Sequence, residues 1–259
     1  MKQLLFLGGL LLLSLSACKK DESDDPVVQP QLPAISQIKW SDNDHLRFIY
    51  NEKGQLAELR NQWQYLAGDP SAIRLLVDQF SYDAQGRITQ VSSTGGFKAN
   101  YFYNDNLIEK VEELAPGGEV LSIITYLYNQ GRIIGQIREY ANGPGELPTT
   151  YKYLFSYDAR GNLSKQEILR EEPGGEYLLL NTVEYLDFDQ KVNPAGWTTQ
   201  YPYLPTYAFH KNNPGKMLYY SPDNDTQTTT YRYEYGANGL PSVKYETRPN
   251  GQYTGRYEY

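Results

Sequence analysis

One nine-residue phrase recurs along this chain, and it leaves few folds open. It reads Phe48-Ile49-Tyr50-Asn51-Glu52-Lys53-Gly54-Gln55-Leu56 and returns as Phe80-Ser81-Tyr82-Asp83-Ala84-Gln85-Gly86-Arg87-Ile88. A third copy is Phe155-Ser156-Tyr157-Asp158-Ala159-Arg160-Gly161-Asn162-Leu163, and shortened or altered copies occupy residues 101–107, 126–133 and 233–240. Two aromatics at i and i+2 share one face of a strand. Asp or Asn then starts a turn, and Gly supplies the positive φ that lets the chain return. The unit is a β-hairpin.

An aliphatic pair follows the turn, as in Ile88 and Val91 or Leu240 and Val243. Their spacing of three puts them on opposite faces of a regular strand, so either the return strand carries a bulge or both faces are covered. The leading tyrosines Tyr50, Tyr82, Tyr103, Tyr128 and Tyr157 are unevenly spaced, which calls for loops or extra strands between hairpins. Residues 121–127 and 177–185, rich in aliphatic and β-branched side chains, read as such strands. Hairpin tips fall at residues 68–70, 116–118, 142–145 and 173–175. Long amphipathic helix periodicity is lacking. The prediction is an all-β chain, an antiparallel meander of repeated hairpins forming one rolled or twisted sheet, barrel-like or sandwich. The terminal Tyr257-Glu258-Tyr259 repeats the aromatic pair and is expected to pair into the sheet as its last strand.

The phrase Tyr-Asp-x-x-Gly-Arg-Ile at residues 82–88 resembles the YD repeat of Rhs and teneurin-type proteins, whose strands spiral into a large shell. The likeness covers the hairpin unit only, and residues 36–259 are too few to enclose a sizeable chamber. The chain also resembles Bacteroides-type lipoproteins with domains of unknown function. In these, degenerate YD-like hairpins precede a segment like Phe188-Asp189-Gln190-Lys191-Val192-Asn193-Pro194, and a further phrase like Asn212-Asn213-Pro214 precedes the closing strands. That resemblance spans most of the chain and implies no activity.

Met1 and Lys2 precede an apolar run over residues 4–15 that ends in Leu15-Ser16-Ala17-Cys18. The run is a signal-peptide core, shorter than the about 20 apolar residues that a spanning helix needs. The ending resembles the bacterial lipobox, and Cys18 is the single cysteine of the chain. The expectation is therefore a signal peptide over 1–17, a lipidated Cys18 and a membrane as partner through that lipid. Residues 18–35, charged and then proline-rich, read as a disordered tether. Cys18-Lys19-Lys20-Asp21-Glu22 also resembles the export signal of surface lipoproteins in Bacteroides-type bacteria, which implies an outer-membrane protein facing the cell exterior. Residues 36–259 form one domain without disulfides.

With 24 basic and 31 acidic residues the chain carries −7, and −8 once Lys2 leaves with the signal. An acidic protein repels phosphate, so a nucleic-acid partner is disfavoured. Serine-hydrolase elbows, P-loops, dinucleotide fingerprints and His-Glu-x-x-His are absent, and nothing calls for a cofactor. His45 and His210 stand apart from any ligand-spaced partner, each read as a turn, loop or strand-end residue. Asp42 with Asp44, Asp187 with Asp189, and Asp223 with Asp225 could present oxygens to Ca²⁺, the last pair being the best placed, although turn chemistry accounts for such clusters equally well.

Residues 196–209 are unusual, with Trp197, Tyr201, Tyr203, Tyr207 and Phe209 among prolines and small polar residues. Such aromatic faces stack on sugar rings or partner proteins, with Pro202 and Pro205 limiting the entropy lost. The same residues would serve equally as a long connection whose aromatics cap one end of the core. The expected function is non-catalytic binding or assembly in the cell envelope, with a glycan or an envelope protein as partner. An inward-facing structural lipoprotein and a carbohydrate-active enzyme, the latter marked by a cleft with two suitably spaced carboxylates, are the rivals.

Overall fold

A computed structural model describes residues 34–259 except 67, 70, 144, 145, 199–202, 205, 206 and 224. The signal segment, Cys18 and almost all of the tether lie outside the described residues. The strands are β1 (Gln37–Lys39), β2 (His45–Tyr50), β3 (Leu56–Gln64), β4 (Ile73–Tyr82), β5 (Ile88–Ser93), β6 (Lys98–Asn104), β7 (Leu107–Leu114) and β8 (Val120–Asn129). They continue as β9 (Arg132–Tyr140), β10 (Thr149–Tyr157), β11 (Leu163–Glu171), β12 (Tyr177–Leu186), β13 (Lys216–Tyr220), β14 (Thr226–Tyr235), β15 (Pro241–Arg248) and β16 (Gly251–Glu258). Each pairs antiparallel with its sequence neighbours. β1 also pairs with β16, Ile38 opposite Tyr257, so the expected meander closes into a barrel. Tyr257 thus belongs to the closing strand, as its position at the chain end implied.

The hairpin phrase explains the local geometry. In the second copy, Asp83 Oδ1 accepts from the Gln85 and Arg87 amides at 3.0 and 2.9 Å, while Gly86 sits at φ +80°, a conformation that a Cβ would strain. The return strand then carries one extra residue. Tyr82 faces Ile88 but Ser81 faces Gln90, leaving Thr89 unpaired. The same shift occurs beside Tyr50, Tyr103, Tyr128, Tyr157 and Tyr235. A bulge, then, resolves the spacing of three. It brings Ile88 and Val91 to the same inward face, 3% and 2% exposed.

The final copy departs from the expectation. Its turn holds the same number of residues, but Leu240 occupies the place of Arg87, so Pro241 faces Tyr235 and Lys244 faces Tyr233. The places of Ile88 and Val91 are taken there by Pro241 and Lys244, not by Leu240 and Val243.

Four of the phrases are also bound to the one before them. The second tyrosine sends its hydroxyl to the carbonyl where the preceding return strand begins. Tyr82 donates to Leu56 O at 2.7 Å, Tyr103 to Ile88 O at 2.8 Å, Tyr128 to Ile108 O at 3.0 Å and Tyr157 to Ile133 O at 2.6 Å. Tyr259 repeats the bond to Pro241 O at 2.8 Å.

The described residues between β12 and β13, 187–198, 203, 204 and 207–215, run into the barrel as a plug. Phe209 meets Phe155 and Tyr207, Tyr203 meets Phe80, and Trp197 meets Phe48. The plug's two ends are laced together: Asp189 N donates to Asn213 O at 3.0 Å, Asn193 N to Lys211 O at 2.9 Å, and Asn213 Nδ2 to Asp189 Oδ2 at 3.1 Å. The Phe188–Pro194 and Asn212–Pro214 phrases are thus the two sides of one hook.

A tyrosine hydroxyl that fills a buried carbonyl contributes about 1 kcal/mol net, and leaving the carbonyl bare costs about 1–3 kcal/mol. Tyr103→Phe is therefore expected to lower unfolding free energy by about 1–2 kcal/mol in a urea titration. Tyr245→Phe, which removes a bond to Glu234 on the outer face, is expected to change it by less than about 0.5 kcal/mol.

Candidate functional site

The leading aromatic of each phrase faces, across the bulged pair, the residue three beyond the restart. These partners are Leu59, Val91 and Val111 in the first three copies, Gln136 and Gln166 in the next two, and Lys244 in the last. The inner wall therefore runs from apolar to polar around the barrel. The plug packs on Phe48, Phe80 and Tyr101 of the apolar side and on Phe155 and Tyr157 of the copies that follow, burying their rings away from water. The β13–β16 side keeps wider open space.

Two adjoining cavities occupy that side, a wide cleft of ≈ 920 Å³ and a narrower one of ≈ 390 Å³ reaching to the plug. They share Tyr231, Lys244, Glu246 and Arg248. Lys244, Glu246 and Arg248 are alternate residues of β15 and so point to one face, the lumen. Lys244 Nζ lies 3.0 Å from Glu246 Oε2, and Arg248 Nε bonds the other carboxylate oxygen. Burial works against ionisation of Glu246, yet the two cations beside it hold its carboxyl below the usual range. Lys244 Nζ also sits 4.5 Å from the Tyr231 ring centre and the Arg248 guanidinium 4.7 Å from that of Tyr253. Trp40, 44% exposed, closes the edge of the narrower cavity. A Cβ at residue 255 would come 3.2 Å from Trp40 Nε1, so Gly255 is what lets the indole approach β16.

The plug supplies the inner end of the narrower cavity through Asn193, Ala195, Thr198 and His210. His210 is 8% exposed, packed between the Tyr185 and Phe188 rings at 4.5 and 5.6 Å, and its Nδ1 has no hydrogen-bond partner. Burial, and secondly the charge of Lys244, push its imidazole down to about 4.

The aromatics expected to meet a ligand are placed elsewhere. Besides its contact with Phe80, Tyr203 donates to Asp78 Oδ2 at 3.0 Å; the Tyr207 hydroxyl lies 3.0 Å from that of Tyr157 and accepts from Ile133 N at 3.1 Å. Trp197, Tyr203 and Tyr207 are thus packed against the core, and Tyr201 lies outside the described residues. Asp223 and Asp225 flank a turn closed by Ser221 N donating to Asp225 O at 3.0 Å. Among the described residues no three His, Cys, Asp or Glu side chains gather as a metal group. His45 starts β2, and its Nδ1 is buried without a hydrogen-bond partner. The Lys244–Glu246–Arg248 row was missed from sequence, and its one signal was alternation of charge along a strand that also carries tyrosine.

The cleft holds Glu246 and, at its edge, Asp225. A glycosidase acid must stay protonated at neutral pH, and Glu246 between two cations is driven the opposite way.

Neither a family model nor a curated protein matches the chain. Solved structures do. A porin-like protein from Bacteroides uniformis aligns at TM-score 0.58 and 16% identity, over 87% of this chain and 97% of its own. A porin-like protein from Bacteroides vulgatus aligns at TM-score 0.61 and 11% identity, over 88% and 99%. The Tc holotoxin pore of Photorhabdus luminescens aligns over 82% of this chain and 12% of its own at 12% identity, and its TM-score of 0.23 supports no argument. At these identities the likeness is one of fold.

The depressed His210 fixes a direction of pH dependence. The unfolded chain takes up that proton at its ordinary value of 6.5, while the folded one resists until about 4. Stability is therefore expected to fall as the pH drops through this window, by up to about 3 kcal/mol from this group. Denaturant midpoints measured at about pH 7 and about pH 4.5 should show the loss, and His210→Phe should flatten it.

Proposed function

We propose that the chain is a non-catalytic cell-envelope protein, lipidated at Cys18 and exposed on the outer membrane, that captures carbohydrate in the open half of its lumen. The observation that carries the reading is the β13–β16 cleft, where the Trp40, Tyr219 and Tyr231 side chains stand beside Lys244, Glu246 and Arg248. Rings stack on the apolar faces of sugars, while charged side chains fix hydroxyl and carboxyl groups. The aromatics of the plug support this site from behind, by holding residues 193–198 against the cleft.

The exterior of the barrel supports a lipid tether rather than a wall immersed in lipid. Outward positions carry the pairs Glu58–Arg60, Lys110–Glu112 and Lys165–Glu167, each at 2.8 Å. A single Lys or Arg facing lipid at the midplane of a transmembrane barrel costs about 2–4 kcal/mol. Such a surface suits water, with the membrane reached through the N-terminal segment.

Two measurements test the proposal. A glycan array probed with residues 34–259 should show a specific set of ligands, with affinity falling at least about tenfold in Trp40→Ala and Arg248→Ala proteins that retain their melting temperature. Retention of every glycan by both variants, or binding of none by the parent, overturns the site. Cys18→Ser should move the protein from the membrane fraction to the soluble one, and the parent should be cut by protease added to intact cells.

A further inference from the structure

A separate cavity of ≈ 260 Å³ lies on the opposite wall, among β4, β5 and β6. Its sides are Leu76, Val91, Phe97, Ala99 and the Tyr101 ring, and it reaches exposed Gly95 in the β5–β6 turn. Of its lining residues Asp78 alone carries a formal charge. That carboxyl is 8% exposed, takes a hydrogen bond from Tyr203 and faces Ser93 across the β4–β5 pair. Both neighbours carry neutral hydroxyls. Among the described residues no Lys, Arg or His forms an ion pair with Asp78, whereas the inward Glu113 pairs with Arg138 and Glu246 with Lys244.

An apolar chamber with one anionic group in its wall has a definite chemical complement. Burial without a counter-ion penalises the carboxylate, so its carboxyl is raised from the ordinary value. A neutral apolar guest would fill the chamber and leave that penalty in place. A guest with a single ammonium head would also remove it, because a charge-assisted bond to a desolvated carboxylate is stronger than a neutral one.

We propose that the β4–β6 cavity binds a small primary amine with an apolar body, its ammonium group on Asp78 and its hydrocarbon against Leu76, Val91, Phe97 and Ala99. The site is independent of the β13–β16 cleft, sharing with it only the plug, which presents Tyr203 here and Thr198 and His210 there.

The test uses the chain from residue 18 with Cys18→Ser, so that no lipid is attached. Hexylamine and its neutral counterpart hexanol are titrated in parallel by isothermal calorimetry and by NMR of ¹³C-labelled Asp side chains. The expected result is saturable hexylamine binding that shifts the Asp78 carboxyl signal, with hexanol at least about tenfold weaker. Asp78→Asn keeps an oxygen to accept from the Tyr203 hydroxyl and should lower hexylamine affinity at least about tenfold while leaving hexanol unchanged. Leu76→Trp, at a partly exposed position on the cavity wall, should abolish both. Equal affinities for amine and alcohol, an unchanged affinity in Asp78→Asn, or no saturable binding by the parent would each overturn the proposal.

Discussion

The bond between a tyrosine hydroxyl and the carbonyl at the preceding bulge is the interaction on which the rest of this barrel depends. A bulge leaves a stretch of backbone unsatisfied by the ladder, and a buried carbonyl there would be costly. The same bulge turns the restart residue inward, bringing its carbonyl within reach of the next hairpin's tyrosine. Tyr82, Tyr103, Tyr128 and Tyr157 take up Leu56, Ile88, Ile108 and Ile133 in turn. Each hairpin thereby sets the position of its successor, and a local phrase becomes a curved sheet that meets itself.

The one interruption in that series is where the interior is built. Tyr235 does not reach back to Leu163. It bonds Asp189, at the entry to the plug, while Leu163 N donates to Phe209 O at 2.6 Å. The contacts that elsewhere join one hairpin to the next here bind inserted chain. The plug is thus held, at Asp189 and Phe209, by groups that the repeat had already committed to hydrogen bonding. Around them the lumen divides, largely filled beside Phe48, Phe80 and Phe155 and widely open where the last copy ends in Lys244.

Much of the wall was legible in the sequence because its determinants are local. Aromatics at i and i+2, an Asx residue and a glycine specify a hairpin whatever surrounds them, while the spacing of Ile88 and Val91 left a bulge and two covered faces as alternatives that only the register decides. Strands at 121–127 and 177–185 followed from composition and appear within β8 and β12. The copy at 233–240 was misphased because Gly236 stands where the others have Asp or Asn, so no side chain marked the start of the turn. The plug was illegible for another reason. Trp197, Tyr203 and Tyr207 among prolines suit a wet surface and a barrel interior equally well, and only partners more than seventy residues away in sequence, such as Asp78 and Ile133, distinguish the two.

Filling the lumen with the chain's own residues has a consequence for how such a barrel can form. β1, the seam strand, is Gln37–Lys39 and can be held only by β2 and by β16, the first and last long strands of the molecule. The plug leaves the wall after β12 and rejoins it before β13, and its rings rest on β2, β4 and β10. An empty shell that later admits its contents would strand Phe48 and Phe80 against water, and a plug without its shell has no core at all. Seam closure and interior packing are therefore one cooperative event. Until β16 is in place, the early strands stay together only as a curved ribbon with two open edges.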